Sequence, residues 1–579
     1  MMALIVVGID FGTTFSGWAY STHDDFATDP TKIFAPQWNS SDQMISLKTP
    51  TCILIKPDGK TVDTFGYDAE NRYTQLAADE IHKDWYFFRR FKMKLYDAQE
   101  SIAQSTMLKD ETGKELKALT VFSLSIKCLR DDFYDHLSRS ICGKFNTSDI
   151  HWVLTVPAIW DEPAKQFMRT SAQEAGLEIE HLSLALEPEA ASIYCRHAKM
   201  IRTENLKTQN ISTFKSGTRY LVCDTGGGTV DITVHEVTPD LKLTEIEKAS
   251  GGYWGGTKVD EEFENYIDTL AGCHVMRAVK NKNMEDYIRI TRAFELKKRT
   301  CKKSPTAGKY TIVVPISIRD IVKEMTGYTF NEQVQRSKYG KTTTVIGEKI
   351  RCSESDLSAL FNRPVNNIIT KLTSILSKYV DNPINHIIMV GGFSESPLLQ
   401  DAVREAFPAM QVIIPIDAGL AVLRVAVLFG QNENQIISRV SKFTYGIKVF
   451  GKYNPLVHSQ DKVLSEGPRK GRVENCFSKL VKIDKSIRAD EPAGKRTYDL
   501  PVGQSTFNAR IFATKEKNPI YVDDDGCLPI GSFNVNCKDE RGNVSSAEVT
   551  MYFGGTEIKL KAKLKSTGEE TEATFNLPE

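Results

Sequence analysis

The feature that most restricts the fold of this chain is a repeated pattern. Residues 4–21 read as an apolar strand that reaches an aspartate, a glycine-bearing turn and a second strand, and residues 220–237 repeat that order around Asp224. A pattern that recurs at long spacing indicates duplicated units, and it restricts the topology more than local propensity does. The sequence therefore predicts two copies of a unit of roughly 200 residues, a common domain size.

Strands alternate with amphipathic helices in both copies. Apolar runs at 151–157 and 386–392 are typical of buried strands, and each is followed by residues at helical spacing. The first of these helices should begin with Asp161 as its N-cap and end at Gly176, and the second should cover 397–407. Alternation of this kind indicates an α/β fold with largely buried sheets.

The last part of the chain has a different pattern. The 579 residues are too many for one hydrophobic core, and from residue 442 onward short alternating runs replace the helical period. We expect strands in the runs 520–523, 532–537, 547–553 and 557–564, and a polar loop at 462–475. The predicted units are a first copy at about 1–215, a second copy at about 216–410, a return to the first copy at 411–435, and a β-rich domain at 441–579.

Composition gives no sign of a polyanionic or membrane partner. Lysine plus arginine equals aspartate plus glutamate at 74 each, so the net charge predicts neither nucleic acid nor a membrane surface as a partner. Apolar stretches of about 18 residues are absent from the sequence, and its first residues lack the basic region of a signal peptide. The 11 cysteines include no CxxC pair, which is typical of reduced thiols. We therefore expect a cytoplasmic protein.

The two glycine-bearing turns are the strongest candidates for a binding site. Each lies beside an aspartate near the end of a strand, and such turns let backbone N–H groups and threonine hydroxyls approach phosphate oxygens. Carboxylates alone would repel a nucleotide, but they can hold it with Mg²⁺ and its waters in between. The alternative is that each turn only closes a hairpin. The residues concerned are Asp10, Gly12, Thr13 and Thr14 in the first copy and Asp224, Gly226, Gly227, Gly228, Thr229 and Asp231 in the second.

Two common nucleotide motifs are absent from the sequence. It has no GxxxxGK[ST] segment, and the GKT at 340–342 lacks the upstream glycine of a P-loop. It also has no strand–GxGxxG–helix unit, which argues against a dinucleotide site.

Four segments carry a resemblance to a known superfamily. They are VVGIDFGTTFSGWAYS, LTVPAIWDEPAKQFMRTSAQEAG, YLVCDTGGGTVDITV and IIMVGGFSESPLL, and they are similar to the phosphate-1, connect-1, phosphate-2 and adenosine motifs of the actin, hexokinase and heat-shock protein 70 superfamily. Their order over residues 3–430 resembles the nucleotide-binding domain of heat-shock protein 70, and FSGWAY, LALEPEAASIYC and AGLAVLRVAVLFG look closer still to the divergent heat-shock 70 kDa protein 12 branch. The resemblance implies duplicated actin-like (ribonuclease H-like) ATPase lobes over 1–435, followed by the β-rich domain.

The resemblance also implies catalytic roles. Glu187 would orient the attacking water, and Lys92 would contact the transferred phosphate, whose charge needs a cation. Arg90 and Lys94 lie near Lys92 in sequence, and a solvated basic helix face is the alternative for this cluster. Hydrated Mg²⁺ would be positioned by Asp10, Asp224 and Asp231, and the phosphates by Gly12, Thr13 and Thr14 from one lobe and Gly226, Gly227, Gly228 and Thr229 from the other.

The nucleoside contacts are implied in the same way. The segment 292–304 is similar to the family's adenine-contact helix, although composition alone would make it a solvated helix face. The residues that recur at helical spacing and would share one face are Glu295, Lys298, Arg299 and Lys302. Backbone approach to the nucleoside would be allowed by Gly255, Gly256, Gly391 and Gly392.

Three positions depart from the family pattern. Glu395 stands where the family usually has an arginine beside the base, so it would alter adenine stacking. Val425 stands where a glycine is usual, which would stiffen the hinge between the lobes. Residues 435–446 replace the acidic-leucine linker of typical chaperone members. These departures weaken the expectation of allosteric peptide capture and leave the expectation of nucleotide binding unchanged.

The sequence thus predicts a chaperone-like protein, with a role in the stress response, that binds ATP or ADP with Mg²⁺ and slowly hydrolyses ATP to ADP and phosphate. Its C-terminal β-domain would be gated by the nucleotide and bind an unfolded polypeptide or a protein partner. Two alternatives stay open. One is a nucleotide-binding scaffold with little or no hydrolysis. The other is a small-molecule kinase of the same superfamily, which would need a general base near the acceptor hydroxyl.

Overall fold

The structure is a computed structural model that describes most of the chain. The described residues are 4–39, 45–97, 102–103, 105–140, 146–189, 214–303, 308–415, 417–432, 435–467, 469–489, 491–498, 506–536, 546–552, 557–565, 568 and 570–573. Strands and helices alternate up to residue 432, and strands prevail after it. The chain is a mixed α/β protein with several sheets.

The first sheet has five strands, and its central strand carries Asp10. Ile5–Phe11 pairs in parallel with Ile150–Val156 and antiparallel with Phe15–Thr22. Every residue of this central strand is buried, as expected of a strand that is covered on both faces. In spatial order the strands are Leu182–Leu186, Ile150–Val156, Ile5–Phe11, Phe15–Thr22 and Thr49–Pro50.

The second sheet has seven strands and repeats that arrangement around Asp224. Arg219–Thr225 pairs in parallel with His386–Val390 and antiparallel with Val230–Val237. Each of the two glycine-bearing turns therefore joins a central strand to its antiparallel neighbour. In spatial order the strands are Gln411–Ile413, His386–Val390, Arg219–Thr225, Val230–Val237, Leu243–Gly252, Ile436–Val440 and Ser486–Arg488.

Helices cover these sheets. The two that were predicted in detail are present at Glu162–Glu174 and Pro397–Ala406, and the carboxylate of Asp161 caps the first by accepting from the N–H of Ala164 at 3.0 Å. None of the helices in the described ranges has the length and apolar character required to cross a membrane. The other helices are His23–Thr28, Tyr67–Ala78, Lys94–Asp97, Ala118–Ser140, Thr257–Ala271, Val275–Lys282, Met284–Thr300, Ile316–Thr326, Phe330–Arg336, Glu354–Ala359, Asn362–Leu376 and Ala418–Gln431.

Small sheets complete the part of the chain before residue 432. Their strands are Trp38–Asn39 with Ile45–Ser46, Val62–Phe65 with Cys52–Ile55 and Tyr86–Arg89, Met107–Lys109 with Glu115–Lys117, and Lys309–Val313 with Lys349–Ser353 and Thr344–Ile346. The sheet of Cys52–Ile55 is buried under the helices Tyr67–Ala78 and Met284–Thr300 in one apolar cluster.

The helix Ala418–Gln431 lies between the two large sheets and contacts both. Val425, in its middle, is fully buried. A Cβ atom on Gly8 would lie 2.7 Å from the Cβ of Ala426, so the strand approaches the helix closely because residue 8 is glycine. The buried cluster of this helix includes Val6, Ala19 and Val153 from the first sheet and Tyr220, Val222 and Ile388 from the second. The helix therefore joins the cores of the two sheets.

Two four-stranded sheets follow in the C-terminal part and share one apolar cluster. Strands are present at three of the predicted runs, those beginning at 532, 547 and 557, while Cys537 and Phe553 lie outside the described residues. In spatial order the strands are Arg472–Val481, Thr444–Lys452, Thr506–Thr514 and Leu528–Asn536 in one sheet, and Pro492–Tyr498, Ala547–Tyr552, Lys559–Leu564 and Glu570–Ala573 in the other.

Two expectations about this part are wrong. The run 520–523 is not a strand, because Tyr521 makes a single bridge and its N–H donates to the carboxylate of Asp524 at 3.0 Å, which closes a turn. The segment 462–475 is not all loop, because its end belongs to the strand Arg472–Val481. That strand begins early because Val473 is buried against Tyr521.

Candidate functional site

The first predicted turn, residues 12–14, is shaped by contacts with its own backbone. A Cβ atom on Gly12 would lie 2.3 Å from the carbonyl oxygen of Phe15, so only glycine fits. The hydroxyl of Thr51 donates to the carbonyl of Gly12 at 2.7 Å, and the N–H of Thr51 donates to the carbonyl of Thr14 at 2.9 Å. The turn is thus fixed in place by the strand segment beside it.

The second predicted turn, residues 226–229, meets the first. A Cβ atom on Gly227 would lie 2.2 Å from Oγ1 of Thr14, and one on Gly228 would lie 2.6 Å from Oγ1 of Thr13. These glycines allow the two turns to touch. Two segments that are far apart in sequence therefore form one wall, with threonine hydroxyls and backbone amides along it.

The two central aspartates differ in how their oxygens are used. Asp10 Oδ1 accepts from the Thr155 hydroxyl at 3.1 Å, and Asp10 Oδ2 accepts from Lys48 Nζ at 2.5 Å. Asp224 Oδ2 is buried and has no hydrogen-bond partner among the described residues. Burial raises the pKa of Asp224 well above its ordinary value, and the nearby carboxylates of Glu187, Asp231 and Asp10 raise it further.

Lys92 and Glu187 form a buried ion pair near Asp10 and Asp224. Lys92 Nζ lies 3.0 Å from Glu187 Oε1 and 5.0 Å from the ring centre of Trp160, and only 2% of the Lys92 side chain is exposed. Burial raises the pKa of Glu187 to about 7, with Asp10 and Asp231 adding to the rise and Lys92 opposing it. A carboxyl group with such a pKa is typical of functional sites.

Asp231 is a further buried acid whose charge acts on this pair. Its Oδ1 accepts from the N–H of Ile159 at 2.7 Å. Burial raises the pKa of Asp231, although the N–H of Ile159 works against the rise. Asp231 is thus electrostatically coupled to Glu187 but does not line the cavity described next.

A cavity of about 570 Å³ opens in front of these groups. That volume is in the range of small-molecule and cofactor sites. It is lined by residues of both turns and of both large sheets, so it lies between them. The predicted site residues that line it are Asp10, Gly12, Thr13, Thr14, Lys92, Glu187, Asp224, Gly226, Gly227, Gly228, Thr229, Gly256, Glu295, Lys298, Arg299, Gly391, Gly392 and Glu395.

The helix Met284–Thr300 forms the far wall of the cavity. Lys298 Nζ contacts Glu295 Oε2 at 2.5 Å and Asp260 Oδ1 at 2.7 Å, and the guanidinium of Arg299 lies 4.7 Å from the ring centre of Phe15. Burial alone would raise the pKa of Glu295, but Lys298 and Arg299 hold it at about 2. The wall therefore offers a charged, fixed surface with one aromatic ring beside it.

Three predicted residues lie outside the cavity lining. Gly255 supports the second turn, since its N–H donates to the carbonyl of Gly228 at 3.0 Å. Asp231 is placed as described above. The prediction that Lys302 shares a helix face with Glu295 is wrong, because the helix ends at Thr300 and the side chain of Lys302 is exposed beyond it.

Glu395 and Gly391 lie at the opposite wall. The carboxylate of Glu395 accepts from the N–H of Gly419 at 3.0 Å and is exposed at the mouth of the cavity. Gly391 has a φ of +85°, and a Cβ atom there would lie 2.3 Å from Oδ1 of Asp224. Glycine is required at that position for both reasons.

Sequence reasoning missed four residues of this region. They are Lys48 and Thr155, which contact Asp10; Asp260, which contacts Lys298 and Arg90; and Ser396, a lining residue whose hydroxyl is buried and has no partner among the described residues. No local motif marks them. Lys48 comes from the segment before Thr49–Pro50, and only the pairing of that strand with Phe15–Thr22 brings it to the site.

The donor set fits a hydrated cation better than a directly ligated one. Among the described residues, no group of three or more His, Cys, Asp or Glu side chains is arranged to hold a metal ion. Yet the buried, unpartnered Oδ2 of Asp224 is an acceptor of the kind that Mg²⁺ or its water ligands satisfy.

The two sheets and the cleft between them fit the class of actin-like nucleotide-binding ATPases, and the comparison with known families supports that class. The Hsp70 protein family matches residues 80–470, and the chain belongs to this family. Among its relatives is Heat shock 70 kDa protein 12A of Homo sapiens, which is 33% identical over 612 residues, covering 96% of this chain and 89% of the relative. Heat shock 70 kDa protein 12B of Homo sapiens is 31% identical over 631 residues, covering 99% and 91%. The resemblance carried by the four motifs is thereby confirmed.

Proposed function

We propose that this chain binds ATP or ADP with Mg²⁺ in the cavity between its two large sheets and hydrolyses ATP slowly. The observation that carries the proposal is the convergence of Asp10, Asp224 and Glu187, the buried Lys92 and two glycine-bearing turns on one cavity. Members of the Hsp70 family bind ATP or ADP with Mg²⁺. This arrangement matches the needs of phosphoryl transfer, which depends on positioning and on stabilising negative charge.

In this proposal the two large sheets are the cores of duplicated actin-like lobes. The first lobe would span about 1–215, the second about 216–410, and residues 411–435 would return to the first, so that 1–435 form the nucleotide-binding domain. The shared strand arrangement supports the duplication. The helix Ala418–Gln431 supports the return, because it packs on Ile5–Phe11 and its neighbours.

Different residues of the site would bind the phosphates, the metal ion and the nucleoside. Thr13 and Thr14 from the first turn and the amides and Thr229 of the second would hold the phosphates. Asp10, Asp224 and Asp231 would position hydrated Mg²⁺, which supplies positive charge between the phosphate oxygens when bound. Gly256, Arg299 and their neighbours would form the nucleoside wall.

Glu187 and Lys92 would act on the attacking water and the transferred phosphoryl group. Glu187, with a pKa of about 7, can accept a proton from water near neutral pH. Its ion pair with Lys92 would weaken when the phosphate arrives, because one ammonium charge is then divided between two anions. This competition is a physical reason for slow turnover.

Single-turnover hydrolysis tests the proposal. Glu187→Gln should slow the cleavage of bound ATP by about 100-fold or more, the usual effect of removing a general base, while nucleotide binding persists. Glu180→Gln, at an exposed acid shortly before Glu187 in the sequence, is the matched control. If wild type and Glu187→Gln show equal, near-zero rates, the chain is a nucleotide-binding scaffold without useful hydrolysis.

The C-terminal residues 441–579 would form a β-rich domain that binds a protein partner or an extended polypeptide under control of the nucleotide. Strand Ile436–Val440, which leads into this part, pairs with Leu243–Gly252 of the second sheet, and Arg169 of the helix Glu162–Glu174 is paired with Glu557. These contacts support the proposal, because they connect the part of the chain that contains the cavity with the C-terminal strands. The proposal places the protein in the cytoplasm as a chaperone-like member of the stress response.

Binding of a fluorescent unfolded peptide to the full chain tests this part of the proposal. The affinity should differ between the ATP-bound and ADP-bound forms, because a gate must favour one form over the other. Equal affinity in both forms would separate nucleotide binding from any function of the C-terminal strands.

A further inference from the structure

Lys48 is a second lysine in the cavity. Its ammonium contacts Asp10 Oδ2 at 2.5 Å and the carbonyl oxygen of Gly419 at 2.6 Å, and 15% of its side chain stays exposed. Unlike Lys92, which pairs with the buried Glu187, this lysine is paired with the aspartate of the first turn. It thus occupies the place at which a cation would be needed.

The segment that carries Lys48 is fixed to the first turn. Strand Thr49–Pro50 pairs with residues Phe15 and Ser16. A Cβ atom on Gly17 would lie 3.1 Å from the carbonyl oxygen of Leu47 and 3.2 Å from Cγ of Lys48, so glycine at position 17 lets the segment lie directly on the strand. The lysine is therefore positioned by the sheet and is not a loose surface side chain.

Hydrogen-bond capacity shows what this lysine can still bind. An ammonium has three donors, and Asp10 and Gly419 use two of them. Lys48 also lines the cavity together with both turns. One donor is therefore left for an anionic ligand held by Thr13 and Thr14.

The two aspartates present different needs to such a ligand. Both oxygens of Asp10 are already bonded, to Thr155 and Lys48, whereas Asp224 keeps a buried oxygen without a partner among the described residues. The protein itself thus supplies a positive charge to Asp10, through Lys48. At Asp224 a bound cation would have to supply it.

We propose that Lys48 is a phosphate-binding residue that provides, at Asp10, positive charge that a metal ion would otherwise supply. The inference rests on the proposed nucleotide site and adds a property to it: because Lys48 already offsets the charge of Asp10, nucleotide affinity falls less on removal of Mg²⁺ than it would without this lysine, while Asp224 still needs the cation. A lysine bonded to a carboxylate can also be a purely structural pair, in which case its removal changes the stability of the fold but not the metal dependence of binding.

Calorimetric binding of ATP and of ADP to the full chain, with Mg²⁺ and with a chelator, separates these cases. When Mg²⁺ is removed, the affinity of wild type for nucleotide should fall by less than about tenfold. The affinity of Lys48→Met should fall by about 10–100-fold more than that of wild type, because this is the range expected for the loss of a hydrogen bond to a charged group. Lys48→Arg, which keeps the charge, should stay close to wild type. Lys60→Met is the matched control, since Lys60 is exposed on the same segment of the first half.

The outcomes are distinct. An equal loss on chelation in wild type and Lys48→Met overturns the role of Lys48 and leaves the nucleotide site standing. If wild type loses more than about 100-fold in nucleotide affinity when Mg²⁺ is removed, the role of Lys48 is overturned too. This measurement on wild type decides the question even if Lys48→Met does not fold. Absence of binding in wild type with Mg²⁺ contradicts the nucleotide site itself, and the role of Lys48 with it.

Discussion

At the scale of the residue, Glu245 illustrates how burial sets the behaviour of an acid. It lies on strand Leu243–Gly252, and its carboxyl accepts from the N–H of Val440 at 2.8 Å. Burial raises its pKa from 4.5 to about 7, and the neighbouring Glu189 adds to the rise, against the effects of that N–H and of the cations nearby. Between pH 4.5 and about pH 7, Glu245 therefore stays protonated in the folded protein but has released its proton in the unfolded chain.

The stability of the fold should therefore fall as the pH rises through that window. Glu245→Gln keeps an acceptor for Val440 but cannot ionise. Between pH 5 and pH 8, wild type should lose about 1–3 kcal/mol more of its free energy of unfolding than the variant does. Urea denaturation at a series of pH values measures this. Glu180→Gln should follow wild type, and identical pH profiles for wild type and Glu245→Gln would show that Glu245 does not hold the proton.

Asp260 joins Arg90, from the first half of the chain, to Lys298 in the wall of the cavity. It accepts from Arg90 at 2.8 Å on one side and from Lys298 at 2.7 Å on the other. Asp260→Asn removes the charge that attracts both cations, so the cleft should open more readily and release nucleotide about 3–30-fold faster, since changes of this kind act mainly on dissociation. Stopped-flow displacement of a fluorescent ATP analogue measures the rate. Asp240→Asn, at an exposed site in the sequence before Asp260, serves as control. Equal rates for the two variants would show that the ion pairs of Asp260 do not slow the release of nucleotide.

The site could be predicted from the sequence only where one short segment carries the chemistry. The two turns can be recognised in the sequence because aspartate, glycine and threonine lie close together in each. The structure brings both segments to one cavity. Lys48 was missed because its position beside Asp10 comes from the edge pairing of Thr49–Pro50, which no local pattern reveals. Lys302 was misplaced because helical spacing was extended beyond Thr300, where the helix ends.

At the scale of the element, strand Ile436–Val440 depends on one buried ion pair. Both nitrogens of Arg439 that face Glu189 lie 2.7 Å from its carboxylate oxygens, and the Glu189 side chain has no exposed surface. Arg439→Ala leaves a buried carboxylate without its cation, so the free energy of unfolding should fall by about 3–5 kcal/mol. Chemical denaturation measures this loss.

A neighbouring strand provides the matched control. Arg488 of strand Ser486–Arg488 pairs with Glu491, and both side chains are more than half exposed. Arg488→Ala should change the free energy of unfolding by no more than about 0.5 kcal/mol. Similar losses for the two variants would mean that the contact of Arg439 with Glu189 contributes no more than a surface pair.

Elements were predictable where hydrophobic period and capping agreed. The helix Glu162–Glu174 begins after Asp161 because the aspartate caps it, and the sequence shows both cap and period. The run 520–523 alternates like a strand, yet the carboxylate of Asp524 bends it into a turn, and side-chain bonds of that kind compete with strand pairing. The start of strand Arg472–Val481 was missed because only packing against Tyr521 favours it.

At the scale of the whole molecule, Val425 tests how firmly the two sheets are joined. Val425→Ala removes two buried methyl groups from the cluster shared by both sheets. The free energy of unfolding should fall by about 2 kcal/mol, from lost burial and the small cavity left behind. Thermal or urea denaturation measures it. Val380→Ala, at a valine with 78% exposure, should have little effect, and equal losses in both variants would contradict a shared core.

The α/β class of the chain was predictable from alternating periods, and its family from four motifs in order. The joining of the two sheets was not. The sequence of Ala418–Gln431 is apolar on nearly all sides, which predicts that the helix is buried. It does not indicate that the helix packs against two sheets.

The position of this helix in the chain has a consequence for synthesis. The strands of the first sheet are complete at Leu186, whereas the helix that covers them begins at Ala418. At ordinary rates of translation the ribosome needs roughly 10–50 s to make the residues in between. During that interval Val6 and Val153 lack their cover, and the nascent chain presents bare apolar surface to its surroundings. The first sheet would thus be exposed to aggregation in each round of synthesis until the helix that covers it has been made.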